Sequence, residues 1–284
     1  MRHVLFLAQS NPRIVDDWGY HVRPIHYYEP IPDFRTITSQ QLERHREFRS
    51  IDFRWDAQLR LLRELADGYH DELQQLDRED FRNDYFAGFD AAVYYSLIRH
   101  LKPKRVIEIG SGHSTRFADK ALRRNANDAT LTCIEPHPER LNGNGLNLNL
   151  NLIQKRVEEI DVDFFSQLEA NDILFIDSSH TVKFGSDVCY EFLDVLPTLN
   201  PGVWIHVHDI FFPHDYPAEW LLKRRLALNE QYLLEAFLSF NREFQIALAN
   251  HWLMLDHATA VNELWNDEGV SSSFWFYRRR ETDD

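Results

Sequence analysis

The sequence predicts an α/β fold, in which helices cover both faces of a mostly parallel sheet. Short apolar runs alternate with helical or turn-rich stretches through the middle of the chain, as is typical of parallel strands joined by right-handed crossovers. The predicted strands are Arg105–Ile109, Thr130–Glu135, Leu152–Arg156, Ile173–Asp177 and Val203–His208, with a helix after each of the first four. Two later runs, Phe244–Leu255 and Ser271–Arg278, predict an antiparallel pair that completes a seven-stranded sheet.

Composition predicts one large globular domain, or one domain with an appendage, because 44% of the 284 residues are hydrophobic and 13% are aromatic. The net charge of −14 argues against nucleic acid or an anionic membrane as a partner, since binding either needs clustered Lys and Arg. Cys133 and Cys189 are the only cysteines, so we expect no disulfide framework and a reducing cytoplasm. No signal peptide or membrane-spanning run is recognised.

The N-terminal part of the chain, residues 1–84, is predicted to form an arm and a helical extension before the main domain, residues 85–284. Four prolines between Pro12 and Pro32 exclude a long helix there. This segment either packs across the domain or covers the substrate as a lid. From Ser39 to Leu76, apolar residues recur at intervals of three and four, which predicts one long amphipathic helix or two shorter ones.

The run Arg105–Thr115, RVIEIGSGHST, joins the first predicted strand to a helix through the turn Gly110-Ser111-Gly112. Such a turn lets a ligand approach the main chain and points the first free amides of the helix at it. A dinucleotide fingerprint has a third glycine where Thr115 stands, and Glu108 would repel a pyrophosphate. Glu108 suits a ligand that carries positive charge. S-adenosylmethionine (SAM), with its sulfonium and ammonium groups, is such a ligand.

A second acidic residue, Glu135, ends the next predicted strand and is expected to accept hydrogen bonds from the ribose hydroxyls of SAM. Glu108 and the glycine turn are expected to hold the methionine half. Ser114 and Thr115 either bind the cofactor carboxylate or only cap the helix. The full set of expected cofactor-binding residues is Glu108, Gly110, Ser111, Gly112, Ser114, Thr115, Glu135 and Asp177.

The motifs EIGSGHST, IEP, LFIDSSH and WIHVHD, in this order, resemble those of the class I SAM-dependent methyltransferases, in particular bacterial enzymes that modify small molecules and sugars. The resemblance runs from Tyr85 to the C-terminus. It implies a Rossmann-like sandwich, a small-molecule acceptor and a homodimer. Many amine-directed nucleic-acid methyltransferases carry Asn/Asp-Pro-Pro-aromatic after the fourth strand, whereas this chain has Asp177-Ser178-Ser179-His180. A small hydroxylated acceptor is therefore favoured.

Polar residues at the ends of the fourth and fifth predicted strands are the candidates for catalysis. Asp177 and His180 follow the fourth strand, and His208 and Asp209 close the fifth. In open α/β sheets, ligands bind outside these strand ends. A neutral imidazole can take the proton from a hydroxyl as its oxygen attacks the SAM methyl group. His180 is the first candidate for this base and His208 the second, while Asp209 can hold an imidazole tautomer.

The same residues allow a second mechanism, in which Asp177, His208 and Asp209 bind a divalent cation that lowers the pKa of the substrate hydroxyl. The resemblance implies oxygen ligands at these strand ends in metal-dependent O-methyltransferases of this fold. His208 departs from that pattern, and because Mg²⁺ prefers oxygen ligands, Mn²⁺ is the alternative ion. Other interpretations are a related hydroxylase-type enzyme, a dinucleotide-dependent oxidoreductase and a non-catalytic scaffold of the same fold.

Overall fold

One seven-stranded sheet forms the centre of this computed structural model, which describes residues 10, 12–126, 128–141, 150–266 and 269–282. The strands are β1 (Arg105–Ile109), β2 (Thr130–Ile134), β3 (Leu150–Ile153), β4 (Ile173–Ile176), β5 (Trp204–Val207), β6 (Phe244–Ala249) and β7 (Phe274–Arg278). Strands β1 to β5 pair in parallel, and β7 is antiparallel to both β5 and β6. The predicted mostly parallel sheet with an antiparallel C-terminal pair is confirmed.

The order of strands across the sheet is β3-β2-β1-β4-β5-β7-β6. Strands β2 and β3 are added on one side of β1, and β4 and β5 are added on the other side, so the winding of the sheet reverses between β3 and β4. Strand β1 lies between β2 and β4, and Glu108 is opposite Cys133 on one side and Phe175 on the other. Ligands of open α/β sheets bind at such a switch point, beyond the carboxyl ends of the strands. The topology therefore brings the glycine turn after β1 beside the end of β4.

The core is formed where helices cover the central strands. A parallel strand that is covered on both faces is a continuous apolar run, and all four residues of β4 are buried. The helix Gly88–Leu101 is buried at every position from Gly88 to Ile98. The helix Trp55–Leu73 instead buries one face, which includes Leu62, Leu65 and Leu73. The amphipathic spacing seen in the sequence is thus a packing pattern.

The helical elements are mostly short. The α-helices of the described residues are Pro12–Asp16, Ser39–Leu42, Trp55–Leu73, Gly88–Leu101, His113–Asn125, Asp187–Tyr190, Leu196–Thr198, Ala218–Leu222, Glu230–Leu238, Asn250–Asp256 and Ala258–Leu264. The 3-10 helices are Arg78–Phe81, Pro138–Arg140, Val157–Glu159 and Val162–Gln167. One π-helical turn, Glu191–Val195, continues the helix that follows β4. Such turns are rare and occur frequently near functional sites.

Several predicted elements are wrong in extent or type. The third strand, predicted over Leu152–Arg156, is found at Leu150–Ile153. The strand predicted to reach Leu255 ends at Ala249, where the helix Asn250–Asp256 begins. The long helix predicted over Ala218–Ser239 is two helices, because Arg225 between them adopts a left-handed conformation with φ 58°. After β3, two 3-10 helices replace the predicted α-helix. Residues 142–149 of the connection after β2 lie outside the described residues.

By its internal contacts the chain divides into two units. One comprises the described residues up to Leu42 together with Ala218–Ala227, and within it the Arg225 guanidinium lies 4.5 Å from the centre of the Phe34 ring. The other comprises Glu43–Pro217 and the described residues from Leu228 onward, and it contains the whole sheet. The boundary expected at residue 84 and the lid role stay predictions. None of the helices in the described ranges is long and apolar enough to cross a membrane.

Candidate cofactor cleft and active site

A cleft of about 320 Å³ lies at the carboxyl ends of β1, β2 and β4. Its lining includes the polar or charged residues Glu135, Asp177 and Lys183, together with Gly110 and apolar residues at the ends of the strands. Three of the expected cofactor-binding residues, Gly110, Glu135 and Asp177, therefore line one cavity. The cleft lies at the switch point of the sheet, where the topology predicts a ligand.

Gly110 is needed for the close approach of the turn to β4. It has φ +76°, and a Cβ atom built on it would lie 1.9 Å from the main-chain carbonyl oxygen of Asp177. Its N–H donates to the Ile134 carbonyl at 3.1 Å, while the Asp177 N–H donates to the Ile109 carbonyl at 2.9 Å. Only glycine, which has no Cβ atom, can adopt this positive φ without strain and also lie this close to the Asp177 carbonyl oxygen. The turn and the end of β4 therefore form a continuous main-chain wall of the cleft.

Glu135 is held in place by two main-chain donors. The Ser111 N–H donates to Oε2 at 3.2 Å, and the His137 N–H donates to Oε1 at 2.7 Å. Each carboxylate oxygen can accept a second hydrogen bond. Because Glu135 lines the cleft, its carboxylate can accept hydrogen bonds from a pair of hydroxyls. The Ser111 main chain therefore orients Glu135, and the ribose-binding role of Glu135 stays a prediction.

Glu108 does not line the cleft, contrary to the expectation that it contacts the cofactor. The side chain has no exposed surface. Its Oε1 accepts a hydrogen bond from the Tyr94 hydroxyl at 2.9 Å, and its Oε2 accepts one from the Thr115 hydroxyl at 2.6 Å. Burial raises the pKa of Glu108 to about 7, although hydrogen bonds from Thr115 and Tyr94 oppose that rise. Glu108 supports the glycine turn from behind.

Ser114 and Thr115, for which the sequence left cofactor contact and helix capping open, also face inward. Both are buried, with 3% and 0% of their surface exposed. The Thr115 hydroxyl accepts a hydrogen bond from the Gly112 N–H at 3.0 Å and donates to Glu108. Ser114 is a further hydrogen-bonding neighbour of the Glu108 carboxyl. The Thr115 hydroxyl thereby caps the first turn of the helix and fixes the conformation of the glycine turn.

A polar cluster lies beyond the ends of β4 and β5 and is centred on His180. The His180 Nε2 lies 3.3 Å from the Asp177 Oδ1 and 3.3 Å from the Asp209 Oδ2. On the other side of the ring, Nδ1 lies 2.7 Å from the Glu230 Oε2. Burial alone would lower the pKa of His180, but hydrogen bonds with Asp177 and Glu230 and the charge of Asp209 raise it well above its usual value.

His208 lies beside this cluster with a different environment. The residue is 6% exposed, its Nδ1 lies 3.4 Å from the Ser273 hydroxyl, and its Nε2 lies 3.7 Å from the Asp209 Oδ1. Across the described chain, Nε2 makes no hydrogen bond. Burial would lower the pKa of His208, but the carboxylates of Asp177 and Asp209 raise it. Asp209 in turn accepts a hydrogen bond from the Ser272 hydroxyl at 3.1 Å.

Two residues of the cluster have strained backbones. His180 has φ 56° and Asp209 has φ 58°, in the left-handed region that non-glycine residues seldom occupy. Such residues persist where the surrounding structure holds them and are concentrated at functional sites. The conformation turns both side chains toward the same point beyond the sheet.

Sequence reasoning missed the residues that orient these histidines. Glu230 is the first residue of the helix Glu230–Leu238, which was predicted to be the middle of a longer helix. Ser273 directly precedes β7 and was predicted to lie within a strand. Neither residue forms a motif with its partner, since 50 residues separate Glu230 from His180 and 65 separate Ser273 from His208. Only the tertiary structure brings them together.

The expected metal site of Asp177, His208 and Asp209 does not fit the residues present. In the described ranges, no group of three His, Cys, Asp or Glu side chains is arranged to hold a metal ion. The His180 Nε2 instead lies between the carboxylates of Asp177 and Asp209, at 3.3 Å from each. The space in which a cation would bridge these two carboxylates is therefore taken by an imidazole nitrogen.

Comparison with known proteins identifies a methyltransferase domain in this part of the chain. The family described as "Methyltransferase domain" matches residues 107–210, which include the last three residues of β1, the strands β2 to β5 and the strand-end residues Asp177, His180, His208 and Asp209. An uncharacterised protein from Archaeoglobus fulgidus is 30% identical over 186 residues, which cover 60% of this chain and 82% of that protein.

Several solved structures resemble this chain. The O-methyltransferase TomG from Streptomyces achromogenes, involved in tomaymycin synthesis and solved with SAM, is 15% identical with a TM-score of 0.46, covering 77% of this chain and 89% of its own. The plantazolicin methyltransferase BpumL, solved with S-adenosylhomocysteine (SAH), is 17% identical with a TM-score of 0.46, covering 80% and 98%. CmcI, solved with Mg and SAM, is 14% identical with a TM-score of 0.41, covering 74% and 84%.

Proposed function

Because this chain belongs to the class I SAM-dependent methyltransferase family, we propose that it methylates a hydroxyl group of a small molecule. Glu135 would hold the ribose hydroxyls of SAM in the cleft, and the carboxylate of Asp177 would face the positively charged part of the cofactor. When bound, SAM supplies the methyl group and leaves as SAH. The residues of the chain bind the two reactants, orient them and remove the hydroxyl proton.

The observation that carries this proposal is the position of Asp177. It lines the cleft and lies 3.3 Å from the His180 Nε2, so the cofactor cleft adjoins the histidine cluster at the end of β5. Methyl transfer requires the acceptor oxygen, the methyl carbon and the sulfur to lie in line. A cleft for the cofactor and an adjoining group that can take a proton are the two parts this reaction needs.

We assign the base to His208 rather than to His180. Both ring nitrogens of His180 already face carboxylates, at 2.7 Å on Nδ1 and at 3.3 Å on Nε2. A nitrogen that donates to these groups has no lone pair for a substrate proton. The His208 Nε2 makes no hydrogen bond in the described residues and faces the same cluster. It can take the proton from the hydroxyl as the oxygen attacks the methyl carbon and the carbon–sulfur bond breaks.

The acceptor class follows from charge and from the sequence after β4. A chain of net charge −14 repels polyanions, and no Asn/Asp-Pro-Pro-aromatic sequence follows β4. A small hydroxylated metabolite, sugar or natural-product intermediate fits both observations. The cytoplasmic location and the homodimer stay predictions. A divalent cation forms no part of the mechanism, because His180 lies where the cation would bridge Asp177 and Asp209.

The experiment combines cofactor binding with turnover. Calorimetric titration with SAM and SAH measures binding, and SAH release is then followed over a panel of small phenols and sugars, with EDTA and with added Mn²⁺. We expect SAM to bind in all conditions. For an acceptor found this way, His208→Gln should lower kcat by about 10²–10⁴-fold and leave the SAM affinity unchanged.

His100→Gln is the matched control, because His100 is exposed and lies at the end of the helix that precedes β1. This position is near the amino end of β1, whereas the cluster lies beyond the carboxyl ends of the strands. Equal turnover by wild type and His208→Gln would refute the base assignment. Turnover that EDTA abolishes and Mn²⁺ restores would instead support the metal-assisted mechanism. Failure to bind SAM or SAH under any condition would refute the proposal as a whole.

A further inference from the structure

A second cavity lies at the end of the sheet opposite the cofactor cleft. Its volume is about 290 Å³, which suits a small molecule. Trp204 at the start of β5 and Tyr277 near the end of β7 line it, and β7 runs antiparallel to β5. The cavity is therefore at the amino ends of the parallel strands, whereas the cleft is at their carboxyl ends. Among the described residues, the two cavities share no lining residue.

The charge around this second cavity is opposite in sign to the charge of the whole chain. Arg54 and Arg280 line it, and no Asp or Glu of the described residues does so. The whole chain has 45 acidic residues and 31 Lys and Arg residues, so a cavity lined only by positive charge stands out. Guanidinium groups without neighbouring carboxylates attract anions. The lining therefore favours a negatively charged ligand.

Arg54 directs a guanidinium group toward the cavity from a strained backbone. It has φ 52° and ψ 45°, in the left-handed region that non-glycine residues seldom occupy, and its N–H donates to the Asp52 Oδ1 at 2.9 Å. The Arg54 Nη1 donates to the Tyr277 hydroxyl at 2.9 Å, and that hydroxyl donates to the Gln245 Oε1 at 2.6 Å. Within the described ranges the guanidinium group makes no other hydrogen bond and no ion pair. Because it has five N–H donors, most of them remain for a ligand.

The second arginine of the cavity, Arg280, depends on a glycine for its position. Gly202 has φ +86°, and a Cβ atom built on it would lie 2.5 Å from the Arg280 Nε. The Gly202 carbonyl accepts from the Asn171 N–H at 2.8 Å, and the Asn171 Oδ1 accepts from the Arg280 Nη2 at 2.5 Å. The turn before β5 therefore leaves the space that the Arg280 side chain occupies beside the cavity.

The rest of the lining is largely aromatic and aliphatic. Trp204 and Tyr277 are opposite each other in the sheet, and their rings stack with centres 5.2 Å apart and an interplanar angle of 26°. Leu61 and Ile246 add apolar surface. Aromatic and aliphatic side chains bind an apolar body, whereas guanidinium groups bind carboxylates through paired hydrogen bonds. The cavity thus combines the two features that recognise a ring with an acidic group.

We propose that this cavity binds a monocyclic aromatic carboxylate, whose carboxylate pairs with the Arg54 and Arg280 guanidinium groups while its ring packs against Trp204. Trp204 and His208 are four residues apart along the chain at β5, so this ligand would lie about 13 Å from the strand-end cluster. It is therefore not the methyl acceptor. The inference stands on this cavity alone and does not rest on the methyl transfer proposed above.

The test combines calorimetry with nuclear magnetic resonance of the full-length protein. The wild type is titrated with benzoate, 4-hydroxybenzoate and phenylacetate, with benzamide as the uncharged analogue and inorganic phosphate as the anion without a ring. The indole N–H signal of Trp204 is identified by its loss in Trp204→Phe. We expect at least one carboxylate to bind and to shift this signal. Benzamide and phosphate should each bind at least about 10-fold more weakly, since each lacks one of the two recognised features.

Two substitutions at the cavity test its lining. Arg54→Gln should weaken binding of that carboxylate by at least about 10-fold. Ala57→Trp, in the first turn of the helix Trp55–Leu73, should abolish binding because Ala57 lines the cavity and the larger side chain would fill it. Arg49→Gln is the control, because Arg49 is exposed and pairs with Glu47; it should leave the affinity unchanged.

Three results would overturn the proposal even if Ala57→Trp fails to fold. The first is that none of the three carboxylates binds the wild type, or that binding leaves the Trp204 signal in place. The second is that benzamide or phosphate binds the cavity as tightly as the carboxylate does. The third is an unchanged affinity in Arg54→Gln. None of these results depends on whether SAM binds in the cleft, so they are separate from failure of the proposed function.

Discussion

Replacing Glu108 with Gln should change how the stability of the protein depends on pH. Glu108 is fully buried behind the glycine turn, and burial raises the pKa of its carboxyl from 4.5 to about 7. In the unfolded chain the carboxyl ionises near its ordinary pKa. Between these two values the unfolded state loses the proton while the folded state keeps it, so the folded state becomes less stable as pH rises. Gln cannot ionise, so the substitution removes this loss of stability at higher pH.

The size of the effect follows from the two pKa values. Their difference is about 2.5 units, and one unit corresponds to about 1.36 kcal/mol, so the full penalty is about 3.4 kcal/mol at high pH. Gln has its own constant cost of about 1–3 kcal/mol, because its amide group replaces an oxygen that accepts from Tyr94 or Thr115. That cost does not vary with pH. The free energy of unfolding of Glu108→Gln relative to wild type should therefore rise by about 3 kcal/mol between about pH 4.5 and about pH 8.

Urea unfolding followed by tryptophan fluorescence at several pH values measures this difference. Glu263→Gln is the control for the same change of carboxyl to amide at a solvent-exposed position, because Glu263 is exposed on the helix Ala258–Leu264. A constant difference between Glu108→Gln and wild type over the whole range would refute the reasoning. It would mean that the carboxyl already ionises in the folded state near its ordinary pKa, through water or a rearranged turn.

Two further substitutions test the cleft. Glu135→Gln should weaken SAM binding by about 10–100-fold in calorimetry, because a charged acceptor for the ribose hydroxyls is lost, and an unchanged affinity would remove Glu135 from the site. Gly110→Ala should lower the free energy of unfolding by about 1–3 kcal/mol and abolish SAM binding, since its Cβ would lie 1.9 Å from the Asp177 carbonyl oxygen. Gly68→Ala is the control, because no atom lies within 4 Å of the new Cβ, and it should stabilise its helix by about 0.5–1 kcal/mol. Equal effects of the two glycine substitutions would contradict the close approach at Gly110.

The sequence was sufficient to predict the strands and the turn that define the cleft. Strand β1 has the predicted bounds, Arg105–Ile109, because a buried parallel strand is a short apolar run that a glycine turn ends sharply. The position of Glu135 at the cleft follows from the same logic, since the carboxyl ends of parallel strands meet at one edge of the sheet. These features depend on local patterns and on topology, both of which are visible in the sequence.

For the central strands, which helices cover on both faces, the sequence could not predict toward which face of the sheet each side chain points. Glu108 is turned inward because Tyr94, on a helix earlier in the chain, and Thr115 supply the hydroxyls that satisfy its two oxygens. In a strand covered on both faces, polar and apolar residues do not alternate, so the sequence does not show which side chains point to which face. The environment of His180 was hidden for a related reason. Glu230 reaches it only because the predicted long helix is interrupted, so that a new helix begins at Glu230.

The left-handed conformations of His180 and Asp209 bear on how this protein can be engineered. Each costs about 1–3 kcal/mol relative to a glycine at the same position. Glycine at either position would release this strain, but it would also remove the ring or the carboxylate that meet at the strand ends. At position 180 it would leave the buried Glu230 carboxylate without its partner, and that loss, about 3–5 kcal/mol, exceeds the strain released. Stabilised forms of this fold should be sought with positions 180 and 209 held constant.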